Sequence, residues 1–275
     1  MMNRKTDILP KTIDSEIVIA GLRALHSLED YAVSQGLYLL VGGTAVQSYI
    51  PSENRRPTSD IDLSVIRPLN YEDFKVFVKP VFEYLCDSGY PTVMKKRDNR
   101  FQLLVYTSDG HDSLSIEFSR RNKGKFDQIS SRLERELSNG RMKNIPGTIS
   151  SYLVAAPEDI AVPKLVRGIG TLERLPELYP ELTLIYQEDP QFSAILNHVV
   201  GVRAIADETK KQQNIEAARL KADLYDILTL STFVGFNQDY FTVAAQEWNR
   251  LTTPSDQRKF LFKLLRLQLE NVSEE

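Results

Sequence analysis

Apolar residues recur at Val18, Leu22, Leu25 and Leu28, so residues 14–34 read as a helix. Gly36 stands as its stop. Residues 37–41 are continuously apolar, the pattern of a short buried strand. Gly42-Gly43 breaks that run. Residues 44–50 then read as a short helix and residues 63–66 as a second strand. Asn70, with Asp73 three residues on, marks a helix start, and Phe74, Val78, Val81, Phe82 and Leu85 form the apolar face. Cys86 is expected near that face. Pro80 is expected to kink or divide the helix, and Gly89 to end it. Residues 101–107 and 113–119 read as a hairpin across a turn-rich loop. In the second of them Leu114, Ile116 and Phe118 alternate with Ser113, Ser115, Glu117 and Ser119. Period two puts Glu117 on a polar face.

After residue 157 the strand signals fade. Helices are expected near 157–173, 190–207, 211–234, 238–250 and 254–271, the last with Phe260, Leu261, Leu264, Leu265 and Leu267 at helical spacing. The expected class is α+β: a mixed sheet with flanking helices over residues 1–157, then a helical bundle over 158–275.

Composition changes this picture little. Of 275 residues, 42% are hydrophobic and 26% charged, which suits a folded chain and excludes whole-chain disorder. The single cysteine excludes an internal disulfide and a zinc site built from cysteines. The first residues carry no apolar run behind Arg4 and Lys5, so no secretory signal is expected. No uncharged apolar stretch approaches the roughly 18 residues of a membrane helix. The expectation is a cytoplasmic protein with no membrane partner. Charge is uneven along the chain. Residues 1–157 hold 21 basic and 19 acidic side chains, whereas residues 158–275 hold 13 and 18. Lys95, Lys96, Arg97, Arg100, Arg120, Arg121, Lys123 and Lys125 concentrate positive charge around two turns. They read either as a solvated loop cluster or as a track for a nucleic-acid backbone.

Candidate chemistry lies between residues 40 and 63. Asp60 and Asp62 flank Ile61 at the start of an apolar strand. At i and i+2 of a strand their side chains share a face, and paired carboxylates repel unless a cation sits between them. An oxygen-only set suits Mg²⁺, which completes its shell with water and substrate phosphates. Gly42-Gly43 lies where a strand turns into a helix, a place where backbone N–H groups can approach an anion, with Thr44 as a hydroxyl donor. His26, His111 and His198 show no metal-ligand spacing. The Gly168/Gly170 pair lacks the third glycine and the preceding strand of a dinucleotide fold.

The run Gly42-Gly43-Thr44-Ala45, a short helix, then Arg56-Pro57-Thr58-Ser59-Asp60-Ile61-Asp62-Leu63 resembles the active-site signature of the DNA polymerase β-like nucleotidyltransferases. It is similar to that of the AbiEii/AbiGii-type toxins, which pair a minimal nucleotidyltransferase domain with a helical one. The resemblance extends more loosely to Glu117, to residues 157–165 with Lys164, and to residues 219–227 with Lys221, Asp223 and Asp226. It implies that Gly42, Gly43, Thr44, Arg56 and Thr58 hold a nucleoside triphosphate. It implies that Asp60, Asp62 and Glu117 bind Mg²⁺ or Mn²⁺, Glu117 standing where the family commonly has Asp and serving as ligand or as base. Lys164 would neutralise phosphate, and Asp223 and Asp226 would support the site from the helical part. The two acids could equally be surface groups paired with Arg219 or Lys221.

The implied activity is transfer of a nucleoside monophosphate from an NTP to an acceptor hydroxyl. For the toxin branch the acceptor is RNA, at a tRNA 3′ end, with a separate antitoxin as partner. Transfer to a small molecule or a protein hydroxyl, or an inactive binding module of the same fold, are the alternatives.

Overall fold

Seven strands form one mixed sheet in the computed structural model, in the order β3-β4-β5-β2-β1-β7-β6. The structure describes residues 11–28, 38–148, 151–178, 180 and 208–248. Within these the chain divides into two compact units, Met1–Ala156 and Pro157–Glu275. The architecture is the expected α+β: a mixed sheet with flanking helices, followed by a helical region.

In the first unit the strands are β1 (Tyr38–Val41), β2 (Asp60–Val65), β3 (Thr92–Lys96), β4 (Arg100–Tyr106), β5 (Ser113–Ser119), β6 (Arg141–Asn144) and β7 (Ser151–Val154). β2 runs parallel to β5 and antiparallel to β1, while β4 pairs antiparallel with β5. Register places Phe101 beside Phe118, Leu103 beside Ile116, and Ile61 on the other side of Ile116. One face of the central strands is therefore wholly apolar and buried. Helix α1 (Glu16–Leu25) lies on it. A Cβ at Gly21 would come within 2.8 Å of Leu114 and 3.1 Å of Ile61, so the missing side chain lets the helix approach the sheet. Phe74 fills the same face between Phe101 and Phe118, at ring distances of 4.8 and 5.4 Å.

The helix expected after Asn70 is two helices, α3 (Tyr71–Phe77) and α4 (Lys79–Asp87), and Pro80 lies in the first turn of the second. Asn70 caps the first by accepting from the Asp73 amide. The preceding helix, α2 (Gly42–Gln47), begins at the glycine pair itself, earlier than expected. Helix α5 (Lys123–Ser138) follows β5.

Several expectations need correction. β2 starts at Asp60 and not at Leu63, because pairing with β5 extends across the two acids. Strands β3, β6 and β7 carry little apolar alternation and were not expected. β3 and β6 are the sheet edges, where charged residues such as Lys95, Lys96, Arg141 and Lys143 discourage pairing with other chains. Cys86 is exposed rather than part of the core. Ser113, Ser115 and Glu117 sit on the face opposite the aromatics, as period two requires. That face is not solvated here, since their exposures are 1%, 2% and 9%.

The second unit contains α6 (Pro157–Arg174), α7 (Glu208–Phe233) and α8 (Gln238–Gln246). Leu165, Ile169 and Leu172 pack with Leu220, Leu224, Ile227 and Phe241 in one core. The helices expected at 190–207 and 254–271, with His198, lie outside the described residues, as do residues 29–34 of the first expected helix and its stop, Gly36. No described helix is long and apolar enough to cross a membrane.

Phe74 is fully buried among three aromatic rings. Phe74→Ala is expected to cost about 3–5 kcal/mol of unfolding free energy, measured by urea titration.

Candidate metal centre

Strand register builds the site. Gln102, Glu117, Asp62 and Val41 are lateral neighbours across β4, β5, β2 and β1, and Asp60 lies beside Ser115 one step away on the same face. Asp60, Asp62 and Glu117 each offer a carboxylate oxygen, and these oxygens all lie within 4.8 Å of one another. Three negative groups at that separation repel strongly, and an arrangement of this kind is stable where cations or hydrogen-bond donors compensate.

Each acid is held. Thr58 Oγ1 donates to Asp60 Oδ1 at 2.9 Å, and Thr44 Oγ1 donates to the Asp60 carbonyl at 2.8 Å. Asp62 lies against Gly42, which has φ +72°. A Cβ there would collide with the Asp62 carboxylate, and the backbone conformation itself favours glycine. At Gly43 a Cβ would stand 2.8 Å from Thr58 Oγ1 and 3.4 Å from the Arg56 guanidinium. Glu117 Oε1 accepts from Ser115 Oγ at 3.1 Å and Gln102 Nε2 at 3.3 Å, and Oε2 accepts from Arg100 Nη1. Burial pushes the Arg100 guanidinium down, but its bond to Glu117 and the charges of Glu117, Asp62 and Asp60 outweigh this and hold it above its ordinary value. Three oxygen donors at this spacing fit a hard divalent cation such as Mg²⁺ or Mn²⁺.

The residues expected to hold triphosphate separate into two groups. Gly42, Gly43 and Arg56 line the turn beside Asp62 and Thr58. Thr44 is wholly buried and Thr58 is 7% exposed, and the hydroxyls of both are turned to Asp60. They position the strand carrying the acids. Gln102 and Ser115 escaped the sequence reading as site residues because a neutral polar residue on a strand carries no motif. Arg100 was read as part of a basic patch.

Lys164, Asp223 and Asp226 come together in the second unit. Lys164 Nζ lies 3.0 Å from Asp223 Oδ1 and 2.9 Å from Asp226 Oδ2, and Arg167 bonds both oxygens of Asp223 at 2.6 and 2.7 Å. The two acids therefore pair across helices with Lys164 and Arg167, and are buried and not surface groups. Burial pushes the Asp223 carboxyl up, yet Lys164 and Arg167 prevail and hold it below its ordinary value.

No family model matches the chain, and no curated protein matches it. Among solved structures it is similar to an antigenic nucleotidyltransferase-like protein from Paracoccidioides brasiliensis, at 13% identity and a TM-score of 0.34 over 84% of this chain and 94% of that one. It is also similar to a proposed nucleotidyltransferase from H. pylori, at 16% identity and a TM-score of 0.39 over 95% of this chain and all of that one.

The basic cluster is also redistributed. Arg121 Nη1 donates to the Val65 carbonyl at 2.6 Å and Nη2 to Ser64 Oγ at 3.1 Å, so its charge ties β2 to the end of β5. Arg120 donates to the Asp98 carbonyl at 3.0 Å and lies over the Phe101 ring. Lys96, Arg97, Lys123 and Lys125 remain exposed.

Lys164 is 6% exposed beside two buried carboxylates. Lys164→Met is expected to destabilise the protein by about 3–5 kcal/mol, seen in chemical denaturation. Because the folded pKa of Asp223 is depressed, its stabilising contribution is present above the unfolded carboxylate value of about 3.9 and is lost as pH falls through the folded value. Asp223→Asn should therefore flatten the acid limb of the stability-versus-pH curve while lowering stability at neutral pH.

Proposed function

We propose that the chain is a divalent-metal-dependent nucleotidyltransferase, which moves a nucleoside monophosphate from an NTP to an acceptor hydroxyl. The observation that carries this reading is the gathering of Asp60, Asp62 and Glu117 oxygens within 4.8 Å, against a glycine turn with no room for a side chain. Asp60, Asp62 and Glu117 would hold Mg²⁺ or Mn²⁺. When bound, such a cation stabilises charge on the attacked phosphate and makes the acceptor hydroxyl more acidic.

The chain's own residues orient the reactants. Gly42 and Gly43 keep side chains out of the turn beside the Asp62 carboxylate, the turn that would receive the triphosphate, and Arg56 supplies the neighbouring positive charge. Thr58 and Thr44 fix the direction of Asp60. The acceptor oxygen forms a bond to the α-phosphorus as the bond to pyrophosphate breaks, and the acceptor proton passes to Glu117 or to solvent. Lys164 is already balanced by Asp223 and Asp226, so its part in this reading is to hold the helical unit. The residues proposed here divide into a nucleotidyltransferase domain over 1–157 and a helical domain beyond it.

The sequence resemblance extends the reading to a toxin of the AbiEii type that acts on RNA 3′ ends under control of an antitoxin. The exposed Lys96, Arg97, Lys123 and Lys125 are the residues offered to an RNA backbone. Incubation with each labelled NTP, Mg²⁺ or Mn²⁺, and either total RNA or cell protein reads out the acceptor. Label in tRNA supports the toxin reading, and label in protein or a small molecule redirects the acceptor. No label with any combination overturns the enzymatic reading in favour of a binding module. Asp60→Ala should cut transfer by more than the roughly 10–100-fold cost of losing an outer-shell partner, with an unchanged thermal midpoint. Wild-type turnover in that variant would remove Asp60 from the site.

A further inference from the structure

The metal reading and the observed ion pair make competing demands on one oxygen. Glu117 is almost buried, and its Oε1 is held by Ser115 and Gln102. Its Oε2 accepts from Arg100. The Arg100 side chain is 43% exposed, so the guanidinium has a route into solvent that Glu117 lacks. Arg100 also interacts with the charges of Asp62 and Asp60, and so acts on the whole cluster. A guanidinium and a divalent cation serving the same three carboxylates would repel each other at close range. Because Oε1 already accepts two hydrogen bonds, Oε2 is the oxygen left to a divalent cation that uses all three acids, and Arg100 sits on it.

We propose that Arg100 is the resident counter-cation of the Asp60–Asp62–Glu117 cluster and a positioning residue for Glu117: a divalent cation engages all three carboxylates by exchange with the guanidinium, which leaves Oε2 for solvent. This rests on the metal reading given above. Arg100 holds Glu117 in place beside Asp62 and lowers the repulsion among the acids. It thereby weakens metal binding relative to a neutral residue at the same position. Hydrogen bonds from Ser115 and Gln102 keep Oε1 in place during the exchange, so only one oxygen has to change partner.

The test is Mn²⁺ binding to the full-length protein, followed by paramagnetic resonance of the free ion and by calorimetry, with no nucleotide present. Arg100→Gln is expected to bind Mn²⁺ at least about tenfold more tightly than the wild type, since a unit positive charge is removed beside the site. Arg100→Lys, which retains the charge, is expected to keep the weaker affinity. Adding Asp62→Asn to Arg100→Gln should abolish the gain. Equal affinity in the wild type and Arg100→Gln, with binding lost in Asp62→Asn, would overturn the role of Arg100 and leave the metal reading standing. No Mn²⁺ binding by wild type or Arg100→Gln, both with cooperative thermal unfolding, would overturn both. A second measurement does not depend on the variant folding: the side-chain Nε–H resonance of Arg100 in the wild type, followed during a Mg²⁺ titration. It should move towards the position of a solvated arginine as the metal binds. A resonance unchanged at saturating Mg²⁺ would count against exchange.

Discussion

Mutual repulsion among Asp60, Asp62 and Glu117 is the constraint around which the first unit is arranged. The sheet could bring three carboxylates to one face by register alone, but register does not make them stable there. The surrounding residues do so by different means. Thr58 and Thr44 anchor Asp60 through its side chain and its backbone. Gly42 leaves the room into which the Asp62 carboxylate projects. Ser115, Gln102 and Arg100 together occupy both oxygens of Glu117. The apolar face behind these strands, closed by Phe74 and α1, keeps β2 and β5 in the one register that aligns the acids.

The helical unit answers the opposite problem. Its acids, Asp223 and Asp226, are almost completely buried, and a carboxylate removed from water needs a cation beside it. Lys164 bridges the two, and Arg167 grips Asp223 with a forked pair of hydrogen bonds. Here charge is balanced inside the unit and serves the packing of α6 on α7. In the acidic triad the Arg100 guanidinium on Glu117 is partly exposed, so that pairing is open to exchange. Net charge along the sequence shows neither arrangement, because it sums over groups whose partners lie far away in the chain.

The fold was legible where a pattern repeats. Alternation over residues 113–119 and helical spacing around Phe74 led to the right elements, and Asn70 and Pro80 marked a start and a division that the structure contains. Legibility failed at β3, β6 and β7, which are short and poor in alternation. Such strands exist because a neighbour supplies hydrogen bonds, and a neighbour leaves no trace in a local pattern. The start of β2 was misplaced for the same reason, since polar Asp60 and Asp62 break the apolar run although β5 pairs with both. Among the residues gathered at the acidic cluster, those with motif character stood out in the sequence. Gln102 and Ser115 were not, and Arg100, Arg120 and Arg121 were grouped by proximity in sequence although their partners differ.

By itself, the sequence determined which chemistry was available: paired acids two residues apart on a strand, a glycine pair at a turn, and a single cysteine, which excludes a zinc site built from cysteines. These follow from residue type and local spacing, which short-range geometry makes reliable. Only the tertiary structure decided what each group faces. It placed Glu117 beside Asp62, turned the Thr44 and Thr58 hydroxyls to Asp60, gave Lys164 to two carboxylates, and set Arg100 on the third acid of the cluster. The physical reason is that electrostatic partners and hydrogen bonds depend on distance in space, and strand register and helix packing bring together residues as far apart in the chain as Leu40 and Val154.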